Sequence, residues 1–88
     1  MQIIAKIKIE NGTFQDWLDF YDSYKSERST YVSNEEIEKV SQNEARVTFF
    51  VQDLDGLMRI SASENILQKE KELGVVTNIV TEWINLVR

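Results

Sequence analysis

The sequence predicts an α+β fold of order β-α-β-β-α-β in a single domain spanning residues 1–88. Three observations carry that expectation. Ile3–Ile9 and Ala45–Val51 alternate apolar with polar residues at period two, as half-buried strands do. Phe14–Tyr24 and Ile66–Leu73 repeat their apolar residues at three- and four-residue steps, as amphipathic helices do. The chain has 88 residues, room for one hydrophobic core and no second. Proline is absent, so Gly, Asn, Asp and Ser set every boundary.

The elements follow in order. Ile3, Ala5, Ile7 and Ile9 define one face of the first strand, with Lys6, Lys8 and Glu10 between them. Asn11-Gly12 is a turn, and Thr13 is an N-cap with Asp16 three residues on. Phe14, Trp17, Leu18, Tyr21 and Tyr24 mark a helix over residues 14–28. Its acidic start and its Lys25 and Arg28 end suit the helix dipole. Ser29 to Asn34 is a polar connection. Glu36–Gln42 is a second strand whose apolar members, Ile37 and Val40, differ in parity, which a bulged edge strand explains. Asn43 and Glu44 form the hairpin tip before the strand Ala45–Val51. Asp53-Leu54-Asp55-Gly56 opens a second helical region with one short apolar patch (Leu57, Met58, Ile60). After Ser61-Ala62-Ser63, a helix capped by Ser63 carries Ile66, Leu67, Glu70 and Leu73 at helical spacing and closes at Gly74. Val75–Val87 is the last strand. This is the ferredoxin-like arrangement: a four-stranded antiparallel sheet with two helices on one face.

The bare face of that sheet needs covering. Ile4, Lys6, Lys8, Arg46, Thr48, Phe50 and Gln52 share it, and the last strand is mostly apolar on both parities: Ile79, Thr81, Trp83 and Val87 on one, Val80, Glu82, Ile84 and Leu86 on the other. A strand apolar on both faces asks for partners on both. A homodimer packed through the open sheet face is therefore expected.

Composition removes several function classes. The chain has no cysteine and no histidine, so thiol nucleophiles, thiolate metal sites and imidazole bases are excluded. Its net charge of −5 opposes nucleic-acid binding. The third strand also lacks the aromatic pattern of RNA-recognition domains. No apolar run approaches the ~20 residues of a membrane helix, so no membrane partner is expected. The start MQIIAKIKIE lacks a signal peptide's apolar block, and a cytoplasmic location is expected.

The βαββαβ order, the Asp53-Leu54-Asp55-Gly56-Leu57 helix entry, the Ser61-Ala62-Ser63-Glu64 interruption and the Glu72-Leu73-Gly74-Val75 step resemble the dimeric α/β-barrel superfamily, which includes antibiotic-biosynthesis-monooxygenase-like proteins. The resemblance covers nearly the whole chain, in pattern rather than in a diagnostic motif. It implies two sheets facing each other across a dimer, with a ligand cavity between sheet and helices in each protomer. Members that catalyse often use Asn, Trp and His, or a Tyr, without a tightly bound metal. The absence of His sets this chain apart from the haem-degrading branch.

Trp17, Tyr21, Tyr24 and Trp83 are the candidate ligand-binding residues, since indole and phenol walls suit a flat organic ligand. The same spacing is that of an ordinary core seam, and spacing alone favours the seam. Asn11, Asn78, Arg46 and Arg59 are weaker candidates that turn, strand and surface roles also explain. Asp53-x-Asp55-Gly56 is not a calcium loop, because Gly56 and Leu57 fall at the wrong positions. Glu35, Glu36 and Glu38 read as a solvated edge. The expected function is that of a small-ligand-binding or accessory protein without a dedicated catalytic centre and without a cofactor. The alternative is a cofactor-independent monooxygenase or isomerase acting on a small aromatic or quinol-like substrate.

Overall fold

The computed structural model describes residues 2–81. Its elements are β1 (Gln2–Ile9), α1 (Phe14–Ser23), α2 (Lys25–Arg28), β2 (Val32–Ser41), β3 (Glu44–Val51), α3 (Leu54–Ser61), α4 (Glu64–Leu73) and β4 (Val75–Thr81). The strands form one antiparallel sheet in the order β2-β3-β1-β4. Alternation on β1 and β3 sends Ile3, Ala5, Ile7, Ile9, Ala45, Val47 and Phe49 into the core. There they meet Trp17, Phe20 and Tyr21 of α1 and Ile66 and Leu73 of α4. The helices thus lie on one face, as predicted.

Local chemistry fixes the boundaries. Thr13 Oγ1 accepts from the Asp16 N–H at 3.2 Å, and Asp16 Oδ2 accepts from the Thr13 N–H at 3.0 Å, a reciprocal cap. Asp53 Oδ1 accepts from the Gly56 N–H at 3.0 Å and starts α3. Ser63 holds the N-cap position of α4, but its side chain makes no capping bond. Gly74 ends α4 in the left-handed region with φ of 64°, a conformation natural to glycine. Gly56 is needed for closeness: a Cβ there would collide with the Tyr31 ring lying on the first turn of α3.

The structure corrects the predicted elements in three places. The helix predicted over 14–28 breaks at Tyr24 (φ −121°, ψ 26°) into α1 and α2, whereas the helical region opened at Asp53 is a helix of its own, α3, ahead of α4 as expected. Four helices therefore occupy the place of two. The hairpin tip is Gln42–Asn43, because Glu44 already pairs with Lys8 and Ser41. β2 starts at Val32 rather than Glu36, and its register against β3 shifts between Ser33 and Glu36 and again between Lys39 and Ser41. The first shift sets Asn34 and Glu35 together opposite Phe49. Asn34 takes φ of 52° as the extra residue of a bulge, and the alternation resumes with Glu35 on the helix side. Ile37 pairs with Val47 on the core side, whereas Val40 falls at the second shift and lines the open face. β2 is an edge strand, as the sequence indicated.

On the open face, Ile4 is half-buried, and Val40, Phe50, Val76 and Val80 are exposed. The predicted last strand ran to Val87. Its residues beyond Thr81, Trp83 among them, lie outside the described residues. Among the described residues, no helix is long and apolar enough to cross a membrane.

Candidate functional site

The site is built on α1. Trp17, Tyr21 and Tyr24 follow at four- and three-residue steps, so all three lean onto the sheet. Trp17 is 1% exposed and stacks on Tyr21 at 4.8 Å between ring centroids, and Tyr24 meets Tyr21 edge-on at 5.6 Å. The break at Tyr24 redirects the chain so that Arg28 of α2 returns over these rings. Its guanidinium carbon lies 3.5 Å above the Tyr21 ring and 4.8 Å from the Tyr24 ring centroid.

Arg28 is 3% exposed, and its charge is answered on three sides. Nε donates to Glu35 Oε2 at 2.8 Å, Nη2 to Glu35 Oε1 at 3.0 Å, and Nη1 to the Tyr21 carbonyl at 2.7 Å. The Tyr21 hydroxyl donates to the same Glu35 Oε2 at 2.7 Å. Burial alone would raise the Glu35 carboxyl; the hydrogen bonds from Arg28 and Tyr21 outweigh it and hold the carboxyl below its usual range. Burial holds the Tyr21 phenol well above the ordinary phenol range, against the pull of Arg28. Tyr24 is pushed up to about 12 by burial, with Arg28 again opposing.

Between these side chains and the sheet lies a cavity of about 140 Å³. Ala5, Ile7, Val47 and Phe49 form its floor; Trp17, Tyr21, Tyr24 and Arg28 line it from α1 and α2, and Leu57, Ser61 and Glu70 from α3 and α4. Val75, Thr77 and Ile79 complete it along β4, where Ile79 faces the helices yet is 60% exposed. The cavity therefore opens at the β4 edge. Glu70 is half-buried in its wall, and burial raises its carboxyl above the usual range. Larger hollows of about 340 Å³ beside α2, about 440 Å³ on the open face and about 580 Å³ along β2 and β3 have charged rims and no aromatic lining. One of about 380 Å³ between α1 and α4 has Phe20 among mostly polar residues. Among the described residues no cluster of three or more acidic side chains is placed to hold a metal ion.

This architecture has solved counterparts. Superposition covers 91% of this chain and 89% of SnoaB, a cofactor-independent oxygenase from Streptomyces nogalater, with a TM-score of 0.60 and 11% identity. Rv0793 from Mycobacterium tuberculosis matches over 91% of each chain at 0.59 and 11% identity. A putative antibiotic biosynthesis monooxygenase from Caulobacter crescentus matches over 90% of this chain and 87% of its own at 0.58 and 12% identity. The fold is that of the antibiotic-biosynthesis-monooxygenase-like proteins. At these identities the likeness is one of fold alone. No protein-family model matches the sequence, and no curated protein matches it.

Within this fold, the structure brings together three of the four aromatic candidates: Trp17, Tyr21 and Tyr24 share the cavity wall. Trp83 lies outside the described residues. The weaker candidates are dispersed. Asn11 Nδ2 donates to the Glu72 carbonyl at 2.8 Å, tying the first turn to the end of α4. Asn78 pairs with Lys6 on the open face, Arg46 bonds Glu38 on the neighbouring strand, and Arg59 is exposed on α3. Sequence reasoning missed Arg28, Glu35 and Glu70. Arg28 resembles a helix-dipole residue and Glu35 a member of an exposed acidic run. Glu70 did leave a signal, a carboxylate inside the apolar stripe from Ile66 to Leu73.

Proposed function

We infer that this chain binds a single-ring aromatic molecule in the cavity between sheet and helices, without a dedicated catalytic centre. The observation that carries this reading is the cavity's lining, an apolar floor under Trp17, Tyr21 and Tyr24. Its volume of about 140 Å³ is small beside the ~300 Å³ of a drug-sized pocket. It matches the roughly 150 Å³ apolar cavity that admits benzene. Only part of the aromatic wall is open to a ligand. Tyr21 is covered by Trp17 on one side and Arg28 on the other, and its hydroxyl is spent on Glu35, so it supports the wall while Tyr24 meets the guest. Ligand-observed NMR with benzene and toluene tests the reading. Both should bind the wild type and lose binding in Thr77→Phe, which fills the cavity from β4; a wild type that binds neither would refute it.

The second reading is a cofactor-independent oxygenase, favoured by an ionisable wall (Glu70 beside Tyr24) in an apolar pocket. In such chemistry a base removes a proton from an activated substrate CH₂ group and the carbanion reduces dioxygen. One oxygen atom stays as a carbonyl and the other leaves as water, with all electrons coming from the substrate. An oxygen electrode with activated single-ring substrates decides it, and consumption no faster than without protein removes this reading. We also assign the open face to a second copy of the chain, because Phe50, Val76 and Val80 stand exposed on it. Light scattering should show twice the 10.3 kDa chain mass, and a monomer would end that assignment.

A further inference from the structure

We propose that Glu70 makes the cavity selective for ring compounds bearing a hydroxyl, its carboxylate accepting the hydrogen bond of a bound phenol. The inference rests on the aromatic-binding reading and adds the polar group by which the ligand is chosen. Ile66, Glu70 and Leu73 occupy successive turns of one face of α4, the face that packs on the core, with Ile66 and Leu73 both buried. An apolar residue at position 70 would complete that seam, so the carboxylate breaks local consistency at the wall of a cavity, where function is the usual compensation.

Two of the three other ionisable groups lining the cavity are already engaged. The Arg28 nitrogens donate to Glu35 and to the Tyr21 carbonyl, and the Tyr21 hydroxyl donates to Glu35. Tyr24 lies with its ring against the Arg28 guanidinium. Among the described residues no donor reaches the Glu70 carboxylate, and the shift of its acidity has burial as its sole cause. An acceptor left without a donor in a partly desolvated site is a cost that a ligand hydroxyl removes. Charge narrows the ligand further: Glu70 disfavours a carboxylate, and Arg28, already paired with Glu35, offers such an anion no free partner. A neutral phenol brings a donor without a negative charge.

The test is the ratio of phenol to toluene affinity, measured by ligand-observed NMR on the wild type, Glu70→Leu and Glu70→Gln. The two ligands share a ring and differ in the donor. The ratio should fall about tenfold in Glu70→Leu, the worth of a hydrogen bond to a charged acceptor. It should fall less in Glu70→Gln, whose amide oxygen still accepts. Toluene affinity should change little in either variant. Wild type that binds both ligands, with a ratio unmoved by Glu70→Leu, overturns the inference and leaves the aromatic-binding reading standing. Wild type that binds neither ligand overturns both.

Discussion

Two glutamates flank the same cluster of aromatic rings and have opposite fates. Glu35 sits on the bulged edge strand, where Arg28 and the Tyr21 hydroxyl supply three donors to its two oxygens, and its carboxyl is held below the usual range. Glu70 lines the cavity from α4, and burial without a partner lifts its carboxyl above that range. Burial acts on both in the same sense, so partners decide the outcome. The Glu35 side therefore maintains the fold, and the Glu70 side gives up stability to keep a polar group available.

Four measurements sharpen or break that contrast. Arg28→Ala has the largest effect, because it strands a partly buried carboxylate: a loss of about 3–5 kcal/mol by denaturant titration is expected. A loss under about 1 kcal/mol would mean that Glu35 rehydrates through the adjacent hollow and that the pair is ornamental to stability. Glu35→Gln keeps the shape and removes the charge, and about 1.5–3 kcal/mol should disappear. Glu70→Leu goes the other way. Completing the apolar seam should stabilise the chain by about 1 kcal/mol, seen as a raised Tm, and a lowered Tm would show that Glu70 already has a partner.

Acidification gives the smallest effect and separates the two carboxyls by order. Glu35 has a depressed folded value, so its stabilisation is present above the ordinary carboxylate range and is lost as pH falls through the lower value. Glu70 has a raised folded value, so its cost is present above that value and fades as pH falls toward the ordinary range. Melting curves from neutral to acid pH should show the Glu70→Leu advantage shrinking first and the Glu35→Gln deficit shrinking later. The reverse order would contradict both assignments.

The sequence revealed whatever depends on a period or a cap. Alternation on β1 and β3 and the Thr13 and Gly74 boundaries all hold, since a repeated pattern signals its own geometry. What it concealed depends on breaks in pattern. Arg28 enters the core only because α1 stops at Tyr24, a position with no glycine or proline to announce it. Glu35 faces inward only because one residue of β2 is set aside, so its charge among neighbouring glutamates looked like solvent-facing edge. Glu70 was visible as an anomaly within a legible stripe, but its importance needed the cavity to be seen.

Asn34 has a consequence for how the length of this chain can drift. A strand ordinarily punishes any gain or loss of a residue, because every side chain beyond it changes sides. At Asn34 the surplus residue already stands outside the alternation, in a left-handed conformation that asparagine tolerates. Removing it would leave Val32, Glu35 and Ile37 on the helix side and Ser33 and Glu36 on the open side. At Asn34, β2 thus has a position where a deletion can be absorbed while Arg28 keeps its carboxylate.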